Sequence, residues 1–209
     1  DVGCGWGHTA LELAPRCRSL VAIEPNPVLA DYARKLALAR GDGRVRVERA
    51  GIEELPSFGQ FDLVMLDNVL EHIPDQPAAF ASISAALRSG GVAYLIVPNK
   101  LWPIEAHYHL PFLAYLPLSL ANAYLRLTGR GRDYRDASYA PTLFRLRRLA
   151  SRHPELTMYL VPPADPTLAQ GGDSPLYAWG TAALRRFPAL WLISKVFLVL
   201  LVKQSDGAS

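Results

Sequence analysis

The chain has 209 residues, of which 50% are hydrophobic and 20% charged, with 17 Pro, 15 Gly and 2 Cys. This composition excludes a disordered chain, a collagen-like repeat and a disulfide-stabilised scaffold, and the length suffices for one full hydrophobic core. Cys4 and Cys17 lack the spacing of a metal site, so we expect free thiols, a reducing compartment and a cytoplasmic protein.

Charge is distributed unevenly along the chain. The formal net charge is +3, but residues 1–100 carry 10 Lys and Arg against 12 Asp and Glu, whereas residues 101–209 carry 12 against 7. The excess of positive charge therefore lies in the second half, where it bears on binding partners rather than on the fold.

Strands and helices are predicted to alternate through the first hundred residues. The apolar run Leu20–Ile23 predicts a short strand. Asn26 and Pro27 then supply a side-chain cap and a first-turn proline for a helix that extends to about Arg40. A further short strand is predicted around residues 45–47, where valines alternate with arginine.

A second strand, helix and strand follow. The apolar segment 61–66 is typical of a buried strand, Asp75 caps a helix through Leu87 that ends at Gly90-Gly91, and segment 92–97 predicts another strand. Continuous apolar strands between amphipathic helices predict a doubly wound α/β sheet, mostly parallel and covered on both faces. In such sheets the ligand binds at the carboxyl ends of the strands.

The loop Asp1–Gly7 has three glycines at alternate positions, which let the backbone turn tightly and approach a ligand closely. A dinucleotide-binding loop would have glycine where His8 stands, and Asp1 would repel a phosphate but attract an ammonium group. Glu24, at the end of the following strand, is placed to accept both hydroxyls of a ribose. Together these residues predict a ligand with an amino group, a ribose and no phosphate.

Four segments together resemble the class I S-adenosylmethionine-dependent methyltransferases, in particular the small-molecule group similar to methyltransferase types 11 and 12. The segments are Asp1–Gly7, Ala22–Pro25, Asp67–His72 and Leu87–Gly91, which extend over residues 1 to about 99. The resemblance implies a Rossmann-like fold, S-adenosyl-L-methionine as the cofactor and methyl transfer as the activity.

The chain begins at Asp1, directly before the glycine loop, where this family has a hydrophobic strand. We therefore expect the chain to lack most of the first strand of the sheet, and to bind the cofactor poorly for that reason. A targeting signal before Asp1 is left open.

The resemblance also implies which residues contact the cofactor. The glycine loop would line the methionine part, Asp1 would hold the amino group through water, and Glu24 would bind the ribose hydroxyls. Asp67 and Asn68 would border the methionine end, where the methyl group is presented. The full set implied is Asp1, Gly3, Cys4, Gly5, Gly7, Glu24, Pro25, Ile52, Glu53, Asp67, Asn68 and His72.

Some of these assignments have a second interpretation or replace the usual residue of the family. Gly51 stands where the family usually has an aspartate that reaches the adenine amino group, so Glu53 and the backbone N–H of Ile52 are assigned to adenine instead. Cys4 is expected to fill space in the loop rather than to act as a nucleophile, because no base accompanies it. Glu71-His72 is as consistent with packing and helix capping as with a ligand contact.

The segment 100–112 follows the last parallel strand and concentrates acidic, histidine and aromatic side chains at the mouth of the predicted site. A similar stretch in some of these methyltransferases faces the acceptor. We expect His107 and His109 to lie on one face of an extended segment and to act as a general base or a hydrogen-bonding clamp for an acceptor hydroxyl. A metal pair and simple packing are the alternatives, and no metal ion is expected. The predicted catalytic residues are Glu105, His107, Tyr108 and His109.

The rest of the second half is less regular. Residues 113–127 predict one or two short helices that could receive a hydrophobic acceptor, and residues 143–150 predict an amphipathic helix. Eight arginines between residues 126 and 152 would suit a phosphorylated, lipid-linked or nucleic-acid acceptor, although a solvated helix face is the favoured interpretation and nucleic acid is not expected.

The C-terminal part is predicted to complete the sheet. A sixth strand is expected at 156–161, a long loop at 162–181 and, after a short helix, a final antiparallel strand at 195–203. The longest unbroken apolar run there is too short to span a membrane, which leaves peripheral membrane contact open. The predicted organisation is a cofactor-binding core at 1–99, an acceptor-binding lid at 100–154, and the remaining strands of the same domain at 155–209.

The predicted function is methyl transfer from S-adenosylmethionine to an unidentified acceptor, with an oxygen of a small molecule, glycan or lipid-linked intermediate favoured. The alternative is a catalytically inactive S-adenosylmethionine-binding regulatory or scaffold protein. A nicotinamide-dependent reductase is a third option, which His8 and Asp1 disfavour.

Overall fold

A computed structural model of the chain describes residues 1–41, 43–162 and 175–205. Its central feature is a mixed sheet in two parts, β2-β1 and β3-β4-β6-β5, which Val2 joins by bridging Ile23 of β1 and Leu66 of β3. The strands are β1 Leu20–Ile23, β2 Val45–Glu48, β3 Phe61–Asp67, β4 Leu87–Pro98, β5 Leu156–Leu160 and β6 Val196–Lys203.

The strand directions confirm the predicted fold class. β1 pairs with β2 and β3 with β4 in parallel, whereas β6 runs antiparallel to both β4 and β5. Below Val2, the starting halves of β1 and β3 are separated by a groove of about 560 Å³. Whether the chain lacks most of a first strand stays a prediction, as do the three segment boundaries.

Helices cover the sheet. They are α1 His8–Leu13, α2 Pro27–Arg40, α3 Gln76–Ala86, α4 Leu118–Leu127, α5 Leu143–Ala150 and α6 Pro175–Arg186. Two predicted caps are confirmed: the Asn26 side chain accepts hydrogen bonds from two backbone N–H groups of the first turn of α2, and Asp75 accepts one from Ala78 at the start of α3.

The junction of α3 and β4 differs from the prediction of a helix through Leu87. The helix ends at Ala86, and β4 begins at once because the fully buried Leu87 pairs with Phe61. The strand then contains a bulge before Val92, where a Cβ on Gly91 would lie 2.9 Å from the carbonyl oxygens of Arg88 and Phe61. The two glycines therefore shape a bulge in the strand rather than the end of a helix.

The main core packs β3, β4 and β6 against α3 and α5. Phe80, Ile83, Leu95 and Phe197 are all fully buried in it, and each contributes about 1.5–3 kcal/mol relative to an exposed position. This core fixes the carboxyl ends of β3 and β4 beside each other.

A smaller hydrophobic cluster lies within the segment 108–137 and is separate from the main core. Its buried members are Leu110, Leu113, Ala121, Leu125, Tyr134 and Ala137. The segment is therefore packed around its own apolar centre, with α4 as its one complete helix among the described residues.

The C-terminal predictions are confirmed in part. The strand expected at 156–161 is present as β5. The short helix is present as a 3₁₀ turn at Pro188–Ile193, and the final antiparallel strand is present as β6. The predicted loop at 162–181 is wrong for residues 175–181, which belong to α6 with Pro175 at its first position; residues 163–174 lie outside the described part. Among the helices described, none is long and apolar enough to cross a membrane.

Candidate active site at the carboxyl edge of the sheet

The predicted site residues come together at one edge of the sheet. Glu24 follows β1, Asp67 ends β3, and Asn99 and the segment to Phe112 follow β4. Because β1, β3 and β4 run in the same direction, these ends meet on the side where doubly wound sheets bind their ligands.

The glycine loop needs its glycines for two different reasons. Gly3, Gly5 and Gly7 all have positive φ, at +67°, +53° and +79°. A Cβ on Gly3 would lie 2.6 Å from a methyl carbon of Val69, and one on Gly7 would lie 2.8 Å from Cβ of Ala33. A Cβ on Gly5 would meet no atom within 4 Å. Gly3 and Gly7 thus allow close packing, whereas Gly5 borders open space that a ligand can occupy.

Glu24 ties this loop to the start of α2. Its carboxylate is buried, with 7% of the residue exposed, and accepts hydrogen bonds from the backbone N–H of Gly5 at 3.0 Å and of Asn26 at 2.9 Å. An ionised carboxylate has about four lone-pair sites, so two remain for the hydroxyls of a bound ribose.

The carboxylate of Asp1 provides a test of whether these residues fit the cofactor. Its Oδ2 is buried and accepts no hydrogen bond from any residue that the structure describes. A buried carboxylate oxygen without a donor is costly, and a ligand ammonium group would satisfy it. Asp1, Glu24 and the space beside Gly5 therefore match the amino group and ribose of S-adenosylmethionine.

The region assigned to adenine is built around Gly51. Its N–H donates to Glu54 Oε1 at 3.2 Å, and Ile52, whose side chain is buried, begins a 3₁₀ turn that extends to Phe58. A Cβ on Gly51 would collide with the carboxylate of Glu53. Glu53 thus fills the space that an aspartate side chain at position 51 would enter.

Asp67 and Asn68 form a linked pair at the end of β3. Asn68 has a φ of +54°, donates its backbone N–H to the carbonyl of Ile96 at 3.0 Å, and donates its amide Nδ2 to Asp67 Oδ1 at 2.7 Å. Burial raises the pKa of Asp67 above its ordinary value.

Two further cofactor candidates, Pro25 and Cys4, differ in exposure. Pro25 is exposed, whereas Cys4 is partly buried in the loop. Burial, together with the nearby carboxylate of Glu24, raises the pKa of Cys4 to about 11. A thiol of this kind is protonated at neutral pH, as expected for a residue that fills space.

Glu105 organises the segment that follows β4. Its carboxylate accepts hydrogen bonds from the backbone N–H of His107 at 2.8 Å and of Tyr108 at 2.6 Å, and lies 2.9 Å from Nδ1 of His107. Burial alone would raise the pKa of Glu105, but the bonds from His107 and Tyr108 outweigh it and hold that pKa below its usual range. The Glu105 carboxylate in turn raises the pKa of His107.

The expectation that His107 and His109 share one face of an extended segment is wrong. Residues 106–108 form a turn, which the N–H of His109 closes on the carbonyl of Glu105 at 3.0 Å, and His109 has a φ of +53°. The carboxylate of Glu105 favours this turn because it satisfies two successive N–H groups. Tyr108 points elsewhere and donates its hydroxyl to the carbonyl of Asp133 at 3.1 Å.

Glu71 was not among the predicted site residues, yet it lies beside His107. Glu71 is fully buried, and Nε2 of His107 lies 3.9 Å from its Oε1, beyond hydrogen-bond distance. Burial raises the pKa of Glu71. His72 packs its ring at right angles to that of His107, with centroids 5.2 Å apart. The pair Glu71-His72 was visible in the sequence, but its contact with a residue 35 positions away was not.

A buried glutamine joins the segment after β4 to the main core. The side-chain amide of Gln76 donates to the carbonyls of Leu70 at 3.0 Å and Tyr139 at 2.7 Å, and its Oε1 accepts from Arg145 at 2.6 Å. The N–H of Tyr139 also donates to the carbonyl of Glu71 at 3.2 Å. These bonds hold residue 139 against the turn that carries Glu71 and His72.

Comparison with known proteins identifies the family. A family model described as a methyltransferase domain matches residues 1–91. The ubiquinone biosynthesis O-methyltransferase of Xanthomonas axonopodis pv. citri is 30% identical in an alignment 186 residues long, which covers 78% of this chain and 75% of that protein. This chain belongs to the class I S-adenosylmethionine-dependent methyltransferases. It is an enzyme of that class, and S-adenosylmethionine is its cofactor.

Solved structures of other proteins share the fold of this methyltransferase. The YcgJ protein from Bacillus subtilis aligns with a TM-score of 0.61 at 18% identity, over 99% of this chain and 91% of that one. The plantazolicin methyltransferase BamL, solved with SAH, aligns with a TM-score of 0.62 at 13% identity, over 98% and 76%. The Rossmann-like α/β fold inferred from the four motifs is thereby confirmed.

Proposed function

We propose that this methyltransferase transfers the methyl group of S-adenosylmethionine to a hydroxyl oxygen of a small molecule, a glycan or a lipid-linked intermediate. The observation that carries the proposal is the 30% identity, over three quarters of its length, to a Xanthomonas protein named as an O-methyltransferase of ubiquinone biosynthesis. A second relative, from Pseudomonas paraeruginosa, has the same name and is 32% identical over 103 residues, 48% of this chain and 44% of that protein.

In the cofactor half of the site, each part of S-adenosylmethionine is matched to particular residues. The unsatisfied oxygen of Asp1 receives the amino group, and the carboxylate of Glu24 receives the ribose hydroxyls. Glu53 and the N–H of Ile52 contact the adenine. The rest of the predicted set lines the methionine part: Gly3, Cys4, Gly5, Gly7, Pro25, Asp67, Asn68 and His72.

The acceptor half is formed by the segment after β4. Glu105 is a positioning residue, because its contact with Nδ1 of His107 leaves Nε2 of that ring directed away from Glu105. His107 is the residue of the predicted catalytic set that meets Glu71 and His72 at the end of β3. We assign His107 to the acceptor hydroxyl, and Tyr108 and His109 to the structure of the turn that presents it.

The reaction is an in-line displacement. The carbon–sulfur bond of the sulfonium breaks as a bond forms between the acceptor oxygen and the methyl carbon, the hydroxyl proton leaves to water, and S-adenosylhomocysteine departs uncharged. Because a sulfonium is a good leaving group, most of the acceleration comes from holding the two reactants in line, for which effective molarities of about 10⁵–10⁸ M are typical. The sequence agrees with this mechanism, because its cofactor-binding motifs are well defined whereas its acceptor segment is less specific.

The test is a transfer assay with methyl-labelled S-adenosylmethionine and matched acceptors. A dihydroxybenzene with an apolar side chain is compared with the corresponding diamine, and products are identified by mass spectrometry. We expect label on oxygen, absent with the Glu24→Gln variant. Label on nitrogen alone would overturn the proposal, and so would cofactor binding with no transfer from cell extracts to any hydroxyl, which the scaffold alternative predicts.

A further inference from the structure

Three side chains from two separate segments converge at the acceptor side of the site. Glu71 and His72 lie in the short 3₁₀ turn Leu70–His72 after β3, and His107 lies in the turn after β4. One carboxylate oxygen of Glu71 and one ring nitrogen of each histidine all lie within 4.8 Å of one another. Ligands of a single zinc ion, each about 2.0–2.2 Å from the metal, are about 3–4 Å apart, so small side-chain rotations bring the three atoms to that spacing.

Glu71 provides an independent indication that something binds here. The residue is 0% exposed, and neither of its carboxylate oxygens accepts a hydrogen bond from any residue in the described part of the chain. The ring of His107 approaches Glu71 only to 3.9 Å, too far for a hydrogen bond, and a buried carboxylate without a donor is destabilising. A bound cation between Glu71 and the two histidines removes this cost.

Both histidines have the second contact that metal-ligating histidines usually make. Nδ1 of His107 lies 2.9 Å from the carboxylate of Glu105, and Nδ1 of His72 lies 3.1 Å from the carbonyl oxygen of Asp136. When each Nδ1 carries the proton of this contact, each Nε2 retains its lone pair. Histidines that bind metals usually donate their other N–H in this way to a carboxylate or a carbonyl.

We propose that Glu71, His72 and His107 bind one divalent transition-metal ion of the Zn²⁺ type. Two histidines and one carboxylate form a common ligand set for such ions, and they leave at least one coordination position open. Because Nε2 of His107 is then a metal ligand, the ion at its open position, rather than the ring itself, binds the acceptor hydroxyl and favours loss of its proton to water. The resulting oxygen attacks the methyl carbon as the carbon–sulfur bond breaks. This role in transfer rests on the proposed function, whereas the metal site itself does not.

The site also explains what the sequence alone left open. From the sequence alone we expect no metal and consider only His107 and His109 as a possible metal pair. The structure separates His109 from the cluster and replaces it with Glu71 and His72, which are 36 and 35 residues before His107 and therefore show no ligand spacing in the sequence.

Direct metal titration tests the site without any turnover. The full chain is treated with EDTA, freed of chelator and titrated with zinc chloride by isothermal calorimetry, without cofactor. We expect one equivalent to bind, and the variants Glu71→Gln and His72→Gln to weaken that binding at least tenfold. His8→Gln is the control, because His8 is exposed and lies outside the cluster; its zinc affinity stays within twofold of the parent protein. Equal affinity of the parent and Glu71→Gln would overturn the site.

Thermal unfolding gives a second readout that does not depend on the variant losing its fold. In EDTA, Glu71→Gln melts at or above the temperature of the parent protein, because the buried charge is gone. Zinc raises the melting temperature of the parent but not that of Glu71→Gln. An equal rise in both proteins would assign the zinc to surface groups and contradict the inference.

The same samples separate this inference from the proposed function. S-adenosylhomocysteine binding and transfer to the dihydroxybenzene are measured in EDTA and after addition of zinc. Transfer that is equally fast in EDTA refutes the role of the ion in transfer and leaves oxygen methylation standing, whereas the calorimetric titration decides whether the site binds zinc. Specific zinc binding at Glu71 without transfer to any hydroxyl supports the metal site and refutes the proposed function.

Discussion

The backbone N–H of Gly5 donates to the carboxylate of Glu24 over 3.0 Å, so one side chain holds the glycine loop against the end of β1. The same carboxylate accepts from Asn26 at the start of α2. Glu24 therefore both shapes the cofactor loop and, in the proposed site, binds the ribose.

Replacing Glu24 with glutamine tests this double role. Glu24→Gln keeps the size of the side chain but loses the charge that two backbone N–H groups and two ribose hydroxyls share. We expect affinity for S-adenosylhomocysteine, measured by calorimetry, to fall at least tenfold, about 1.4 kcal/mol. Glu48→Gln is the control, since Glu48 ends the neighbouring strand and pairs with Arg46 at the surface; unchanged affinity in both variants would refute the ribose assignment.

The space beside Gly51 allows a residue exchange that tests the adenine assignment. Because the Glu53 carboxylate fills the position of a side chain at residue 51, we expect Glu53→Ala to weaken S-adenosylhomocysteine binding several-fold. Adding Gly51→Asp to Glu53→Ala restores much of the affinity. Gly51→Asp alone costs little stability, because residue 51 has a negative φ and the Glu53 carboxylate that it meets is the end of an exposed, flexible side chain. Full affinity of Glu53→Ala, or no recovery in the double variant, would contradict the assignment.

The protonated thiol of Cys4 predicts a slow alkylation with a steep pH dependence. Its pKa is raised to about 11, so about one molecule in a thousand is thiolate at pH 8, compared with about one in four for an ordinary cysteine. Iodoacetamide labelling of Cys4, followed by mass spectrometry, should rise about tenfold per pH unit up to about pH 9.5. Protein unfolded in guanidinium chloride is the control, and half-maximal labelling near pH 8.5 in the native protein would refute the raised pKa.

Gln76 is predicted to be important for stability although it lies outside the catalytic set. Gln76→Leu removes donors from the carbonyls of Leu70 and Tyr139 and an acceptor from Arg145. We expect urea unfolding to show a loss of about 2–4 kcal/mol, because buried polar groups lose their partners. The exposed Gln60→Leu should change stability by less than about 0.5 kcal/mol. Equal effects of the two substitutions on the free energy of unfolding would mean that the hydrogen bonds of Gln76 do not stabilise the fold.

The sequence by itself determined the family, the cofactor and the order of the elements, because these depend on local signals. Asn26 and Asp75 each cap the first turn of the helix that follows them. The alternate glycines lie within one loop, and Glu24, about twenty residues later, lies at the end of one strand. The errors lie where a tertiary contact overrides a local signal: Leu87 looks like the last turn of a helix but pairs with Phe61 as a strand.

Only the tertiary structure decided which residues share the acceptor side. Glu71 is buried at the end of β3, with no hydrogen-bond donor to its carboxylate among the described residues, and His107 meets it because Glu105 folds the segment after β4 into a turn. Neither relation leaves a periodic pattern along the chain. The sequence shows a charged residue beside a histidine, and the fold brings both within 4.8 Å of a second histidine.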